Sequence, residues 1–408
     1  MNVFNNVPLK EVCKVISGYA FKSATFKTGG STPVIKIKNI KIGTASLEDA
    51  GYVDPSFLES VDKKYKVMGD DILISLTGSH MTQPNSVVGR VGRYPCKYPV
   101  ALLNQRAGKV IPNEELVDKT YLFYALLGDD VRREIAQMAH GAASQANVSP
   151  SQVESVEIPL PDLKLQERIG SVLNNYDQLI ENNNRRISIL EDMAQSLYRE
   201  WFVNFRYPNH EDNLDADGNP KLVDSPLGQI PEGWEVKKFS ELVNYKTGKL
   251  NSNAATPDGE YPFFTCSRET FRTNTFSFDC ECVLLAGNNA NAVYPIKYFH
   301  GKFDAYQRTY VITEKDRNEI TPSFLFYCLE LKLNQLKSLS TGSATRFLTK
   351  GILDNLDLLI PPKGIMKDFD STVIHFLKSQ KNLNQRNDNL KKQRDMLLPK
   401  LISGTIKL

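Results

Sequence analysis

Two polar tracts have side chains suited to chemistry: Thr77-Gly78-Ser79-His80-Met81-Thr82-Gln83 and Gly287-Asn288-Asn289-Ala290-Asn291, each directly behind an apolar run. They are dense in hydrogen-bonding groups but hold no activated nucleophile. Asn and Gln pair bidentately with adenine, Arg pairs with guanine, and Lys, Ser and Thr hold phosphates. Such tracts suit reading a polymer more than cutting one, although each taken singly is equally an ordinary solvated loop. The motifs of common catalysts are missing: no Walker loop, no GxGxxG, no HExxH, no GxSxG and no Asn-Pro-Pro-aromatic string. Asn213-Leu214-Asp215-Ala216-Asp217-Gly218 with Asp224 departs from a calcium loop at its first and last positions, and Pro220 interrupts it. Asp224 with Glu235-Val236-Lys237 resembles a nuclease pair, but a proline-bounded loop does not fix a carboxylate for a metal. The five histidines are isolated, so no metal site is expected.

These tracts belong to a plan that the chain runs through twice, the second pass lagging by about 200 residues. Tyr121-Leu122-Phe123-Tyr124-Ala125-Leu126 returns as Phe324-Leu325-Phe326-Tyr327-Cys328-Leu329, Asn104-Gln105-Arg106 as Tyr306-Gln307-Arg308, and Gly141-Ala142-Ala143-Ser144 as Gly342-Ser343-Ala344-Thr345. The order is kept throughout. A period this long is a domain duplication and not a solenoid repeat. It gives one chain an approximate internal two-fold, and the expected partner has two similar halves.

The elements that position the tracts follow from periodicity. The fold class is α+β: two similar α+β domains, 1–161 and 233–362, separated by two long antiparallel coiled-coil helices, 162–207 and 363–408, with a linker over 208–232. A single helix is expected near Lys119 to Gln137. The first long helix carries a seam of Leu173, Tyr176, Ile180, Asn183, Ile187, Leu190, Ala194, Leu197 and Trp201. The second carries Val373, Phe376, Gln380, Leu383, Asn387, Leu390, Arg394, Leu397 and Leu401 at the same offset. The 3-4 spacing is that of paired helices, and polar seam positions set register. Related by a two-fold, the helices are expected to run antiparallel with a globular unit at each end. Trp201 and Phe202, at the end of the first helix, are expected to be exposed anchors for a partner subunit.

Composition sets outer limits. The 408 residues carry 50 Lys and Arg against 47 Asp and Glu, a net charge of +3 that does not by itself announce a nucleic-acid binder. The acidic stretch Glu211 to Asp217 masks basic runs such as Lys36-Ile37-Lys38. The six cysteines read as reduced structural thiols. No apolar run approaches the roughly 20 residues of a membrane span, and the opening residues do not resemble a signal peptide, so a cytoplasmic location is expected.

Several stretches together resemble the specificity subunits of type I restriction-modification systems, and the likeness spans essentially the whole chain. They are Gly141 to Asn147 with Ile158-Pro159-Leu160-Pro161 and Gln166; Ile187 to Glu191 and Leu197 to Phe202; Ile230-Pro231-Glu232-Gly233-Trp234; and Leu397 to Gly404. Met366 departs from the pattern set by Gln166. The resemblance implies two target-recognition domains, each reading half of a split double-stranded DNA sequence, with paired helices fixing the spacer. It also implies that catalysis lies elsewhere. By the same resemblance, two S-adenosylmethionine-dependent methyltransferase subunits are expected to dock on the helices and an ATP- and Mg-dependent motor nuclease to join them, with no cofactor expected on this chain. The expected DNA contacts are Lys36, Lys38, Thr77, Ser79, His80, Gln83, Asn85, Gln105, Arg106, Ser144, Gln145 and Asn147 in the first half. In the second they are Lys249, Arg268, Asn288, Asn289, Asn291, Gln307, Arg308, Thr345 and Arg346. The competing readings are a DNA methyltransferase or nuclease with an unfamiliar site, which would bind S-adenosylmethionine or cut DNA alone, and a coiled-coil scaffold without salt-dependent DNA affinity.

Overall fold

The computed structural model describes residues 4–78, 88–142, 145–214, 217–218, 221–289, 292–342 and 345–408. They form two compact units, residues 1–183 with 385–408 and residues 184–384.

In unit 1 a six-stranded sheet runs in the order Cys13–Ser17, Ala107–Pro112, Ile72–Ser75, Val91–Arg93, Gly43–Ala45, Ile40–Lys41. Its strand Ile72–Ser75 is apolar without alternation because both faces are covered. Ile72 and Ile74 enter the main core with Tyr121, Leu122 and Leu173, while Leu73 points the other way, to Ile35, Ile40 and Tyr94. The expected helix over Lys119 to Gln137 is two helices, Lys119–Leu127 and Asp129–Gln137. Gly128 is extended between them, and Asp129 and Asp130 favour a new helix start through their interaction with its dipole. The strand Asn6–Pro8 pairs antiparallel with Glu157–Pro159, closing the globular part just before the first long helix.

Unit 2 repeats the scheme. Its six-stranded sheet runs Val243–Thr247, Thr309–Glu314, Phe278–Ala286, Ile296–Ala305, Tyr261–Phe264, Thr270–Thr273, and Glu235–Lys238 closes against Asp357–Ile360. The linker holds an unexpected hairpin, Leu222–Ser225 with Gly228–Pro231. Its turn is Ser225-Pro226-Leu227-Gly228, with proline presetting the first corner and Gly228 at φ 96°.

The long helices span Leu163–Phe202 and Lys363–Ile402, 40 residues each. Within unit 1 their segments run antiparallel: Arg394 pairs with Asp177, and Asn183 Nδ2 donates to Asn387 Oδ1 at 2.8 Å. Within unit 2, the Phe369 ring meets Phe202 edge-to-face at 5.0 Å and is tilted against Trp201 at 6.0 Å. Leu173, Ile180, Val373 and Leu383 are buried, and Tyr176, Ile187, Leu190, Leu197, Phe376, Leu390 and Leu397 are half-buried.

Two expectations change here. The helices are not a body apart from the domains, since Ile169, Leu173, Leu401 and Ile402 belong to the unit 1 core and Tyr198, Phe202, Phe369 and Val373 to the unit 2 core. Nor is Phe202 an exposed anchor. It is 4% exposed and packs on Phe324, Phe369 and Trp234, with Trp201 half-buried beside it. The helix presents more than one face to protein, and Phe202 lies on the face that the globular part of unit 2 covers.

Candidate nucleic-acid interface

In unit 1 the edge strand Cys13–Ser17 ends at Gly18, where the chain meets the strand Ala101–Leu103 so closely that a Cβ would stand 2.3 Å from Leu103 O. Only glycine permits the approach. It lets Tyr19 pair in parallel with Asn104, so that Tyr19 N donates to Leu103 O and Gln105 N to Tyr19 O. Ala107 N closes the turn on Asn104 O at 2.8 Å, leaving Gln105 and Arg106 exposed at its tip. Arg106 O accepts from Leu76 N, and Leu76 O from Val148 N. One hydrogen-bonded ladder therefore gathers the turn, the tract at Thr77 and the strand Gln145–Asn147. Asn104 N donates to Ile35 O at 3.0 Å, which brings Lys36 and Lys38 alongside.

Unit 2 builds the same junction. A Cβ on Gly248 would lie 1.9 Å from Ala305 O, Leu250 pairs in parallel with Tyr306, and Gln307 N donates to Leu250 O. Thr309 N closes on Tyr306 O, exposing Gln307 and Arg308. Arg308 O accepts from Gly287 N at 2.7 Å and Gly287 O from Leu348 N at 2.9 Å. Asn288 then faces Phe347, and Asn289 faces Arg346, across a two-stranded ribbon. Tyr306 N donates to Phe264 O, bringing in the segment with Cys266 and Arg268, and Lys249 is exposed directly after Gly248.

The side chains on the two junctions differ. In unit 1, Thr77 is 6% exposed and its hydroxyl donates to Asn147 Oδ1 at 2.7 Å. Thr77 therefore shapes the ladder and does not present itself to a ligand, contrary to the sequence expectation. Lys36 is half-buried with its ammonium 3.4 Å above the Phe26 ring, and burial, with Lys38 nearby, lowers its pKa. Lys38 is exposed. In unit 2, Thr345 is half-buried, and Arg346 is exposed with its guanidinium donating to Ser340 O at 3.2 Å. Asn288 Oδ1 accepts from the Cys266 thiol at 3.0 Å, and Arg308 lies 5.6 Å from the Phe347 ring centre. Ser79, His80, Gln83, Asn85, Ser144 and Asn291 lie outside the described residues, as does the Gln145 side chain. Sequence reasoning missed Phe347 and Cys266. The ladder sets Phe347 where unit 1 has Asn147, since Leu348 N bonds to Gly287 O as Val148 N bonds to Leu76 O.

Gln166, singled out in the sequence, is structural. It is 1% exposed, accepts from Asp118 N at 2.8 Å and donates to Pro161 O at 2.8 Å, tying the helix cap to the start of the long helix. Unit 2 replaces this bond with the buried Met366 and with a bond from Thr321 Oγ1 to Asp370 Oδ1. Among the described residues no helix is long and apolar enough to cross a membrane.

A family model described as the type I restriction modification DNA specificity domain matches residues 1–192 and again 231–392. The MjaIX specificity subunit of a type I restriction enzyme from Methanocaldococcus jannaschii is 26% identical over 412 residues, covering 93% of this chain and 91% of that one. The EcoDI specificity subunit of Escherichia coli is 33% identical over 183 residues, 44% of this chain and 40% of that one. The solved S subunit of a type I restriction-modification system from M. genitalium shares the fold, with a TM-score of 0.58 at 15% identity over 98% of this chain and 96% of that one. With the domain matched twice, once in each of the units that build the same ladder, the chain belongs to the family of type I restriction-modification DNA specificity subunits.

Proposed function

We propose that each unit reads one half of a split double-stranded DNA target through its turn-and-ribbon junction, and that the long helices set the unspecified spacer. The observation that supports this best is that one backbone ladder is built twice, with the same Gln-Arg pair at each turn tip (Gln105-Arg106 and Gln307-Arg308) and different side chains on the ribbon beside it: Thr77 and Asn147 in one unit, Asn288, Arg346 and Phe347 in the other. A scaffold that must expose different hydrogen-bonding groups on identical supports is suited to reading two different sequences. In this reading the chain is the non-catalytic component, acting in the cytoplasm. Two methyltransferase subunits dock on the helices, S-adenosylmethionine is bound by them, and ATP and Mg are used by a restriction subunit that joins the complex.

Selection of bound duplexes from a randomised library by the full chain, with its methyltransferase partner, tests the proposal. The expected product is two short specified blocks with a fixed gap. Gln105→Ala should relax one block and Gln307→Ala the other, each at a cost of about 1–3 kcal/mol. Equal relaxation of both blocks by either variant would defeat modular reading.

A further inference from the structure

The ribbon of unit 2 pairs groups whose chemistry is more specific than polarity. Asn288 and Phe347 are directly opposed in an antiparallel ladder, so their side chains leave the same face with Cβ atoms about 5 Å apart. A two-stranded ribbon is an element that the DNA major groove admits. Phe347 is 37% exposed, unusual for a phenylalanine on a two-residue strand that has polar neighbours. It is held firmly: its N–H donates to Thr341 O at 2.8 Å, its carbonyl accepts from Thr341 N, and the Arg308 guanidinium flanks its ring. Gly342, at φ +107°, closes this turn in a backbone region that side chains rarely adopt.

The Asn288 amide is oriented as well. Its oxygen accepts from the Cys266 thiol, and because a carbonyl oxygen accepts two hydrogen bonds, one lone pair and the NH2 group are left for a ligand. An amide offering one acceptor and one donor matches adenine N6 and N7, and an apolar ring beside it matches the thymine 5-methyl group of the same pair. The corresponding positions in unit 1 are Thr77 and Asn147, which are hydrogen-bonded to each other; Thr77 is buried, so the pair offers no exposed apolar group. Resting on the reading of the junctions as DNA-contacting, we propose that the unit 2 ribbon reads one A·T base pair in the major groove, Asn288 taking the adenine edge and Phe347 the thymine methyl. Cys266 acts through Asn288 as a positioning residue.

The test uses the full chain and the duplex it selects from a randomised library, with the unit 2 half-site defined as the block relaxed by Gln307→Ala. Thymines there are replaced singly by uracil, which removes only the methyl group, and adenines by 7-deazaadenine, which removes N7. One thymine should be sensitive, with binding weakened about fourfold on loss of its methyl. Its paired adenine should be sensitive to loss of N7. Phe347→Ala should abolish the thymine–uracil difference, as should Phe347→Asn, which installs the side chain that unit 1 carries at this position and guards against a folding defect. Asn288→Ala should abolish the 7-deazaadenine effect. Cys266→Ala should diminish it, and Cys266→Ser should restore it. No uracil-sensitive position in that half-site, or sensitivity that survives in both Phe347 variants, overturns the inference while leaving the two-unit reading intact. Failure to select any split sequence removes the two-unit reading itself, and the inference with it.

Discussion

Phe202→Ala should destabilise unit 2 and not merely uncouple a partner. The ring is 4% exposed, and its centre lies 4.9 Å from those of Tyr198 and Phe324, 5.0 Å from Phe369, 5.9 Å from Trp234 and 6.1 Å from Trp201. Truncating a buried Phe to Ala costs about 3–5 kcal/mol, depending on how far the site can collapse. Five aromatic neighbours, four of them anchored on helices, cannot fully follow the lost ring, and edge-to-face contacts disappear as well. The expected loss is therefore about 4 kcal/mol. For a unit of this size that lowers the melting temperature by roughly 8–16 °C. The assay is built into the sequence, since the chain has two tryptophans, Trp201 and Trp234, and Phe202 contacts both. Their fluorescence reports unit 2, whereas far-UV circular dichroism reports the whole chain. Ile402→Ala, at the matching position in the unit 1 core, should change the dichroism transition and spare the fluorescence one. If Phe202→Ala melts within about 2 °C of the parent by fluorescence and yet loses its methyltransferase partner, the ring is an accessible anchor and the burial argument is wrong.

Three further outcomes are expected. Gly248→Ala places a Cβ 1.9 Å from Ala305 O, so the junction must shift; stability should fall by about 1–3 kcal/mol in denaturant melts, and the unit 2 half-site should be lost before the other. Burial lowers the Lys297 pKa to about 8 in the fold, below its ordinary value of 10.5, so the unfolded chain binds more protons between those values. Its contribution to stability therefore rises with pH from about 8 upward, and Lys297→Met should flatten that rise when melts at pH 8 and 9.5 are compared. One heptad inserted into each long helix, after Asn183 and after Asn384, keeps the seam pattern and adds about 10 Å of helix; the selected spacer should lengthen by about three base pairs, and an unchanged spacer in an active variant would exclude the helices as its ruler. An insertion near Arg206 to Asn209 would not serve, because it falls beyond the helix end at Phe202, where Tyr207 is buried 5.6 Å from Trp234.

What could be read in the sequence, and what could not, divides along the distance over which each signal acts. The seam of Leu173 to Leu197 was legible because a 3.5-residue period is local, and the break at Gly128-Asp129-Asp130 was local too, although an apolar stripe running across it concealed the stop. The hairpin at Leu222 to Pro231 was announced by Ser225-Pro226-Leu227-Gly228 and hidden by its exposed, mixed strands. Thr77 was misread for the opposite reason: its partner Asn147 is 70 residues away, and no periodicity links a hydroxyl to an amide across that gap. Phe202 was misread because a seam tells which face meets the other helix but not which further face a domain covers. The duplication carries non-local information, and it corrects the error at Phe202. Ile402 stands where the offset places a counterpart for Phe202, and a position that is apolar in both copies points to a core, since two surfaces under no common packing demand need not both stay greasy. Asn147 and Phe347 make the converse case. The ladder fixes the backbone at both positions through the same bonds, from Val148 N to Leu76 O and from Leu348 N to Gly287 O. With the support held constant, the change from an amide closed on Thr77 to an exposed ring beside Asn288 is not demanded by the fold, and a difference the fold does not demand is where the two units can differ in what they read.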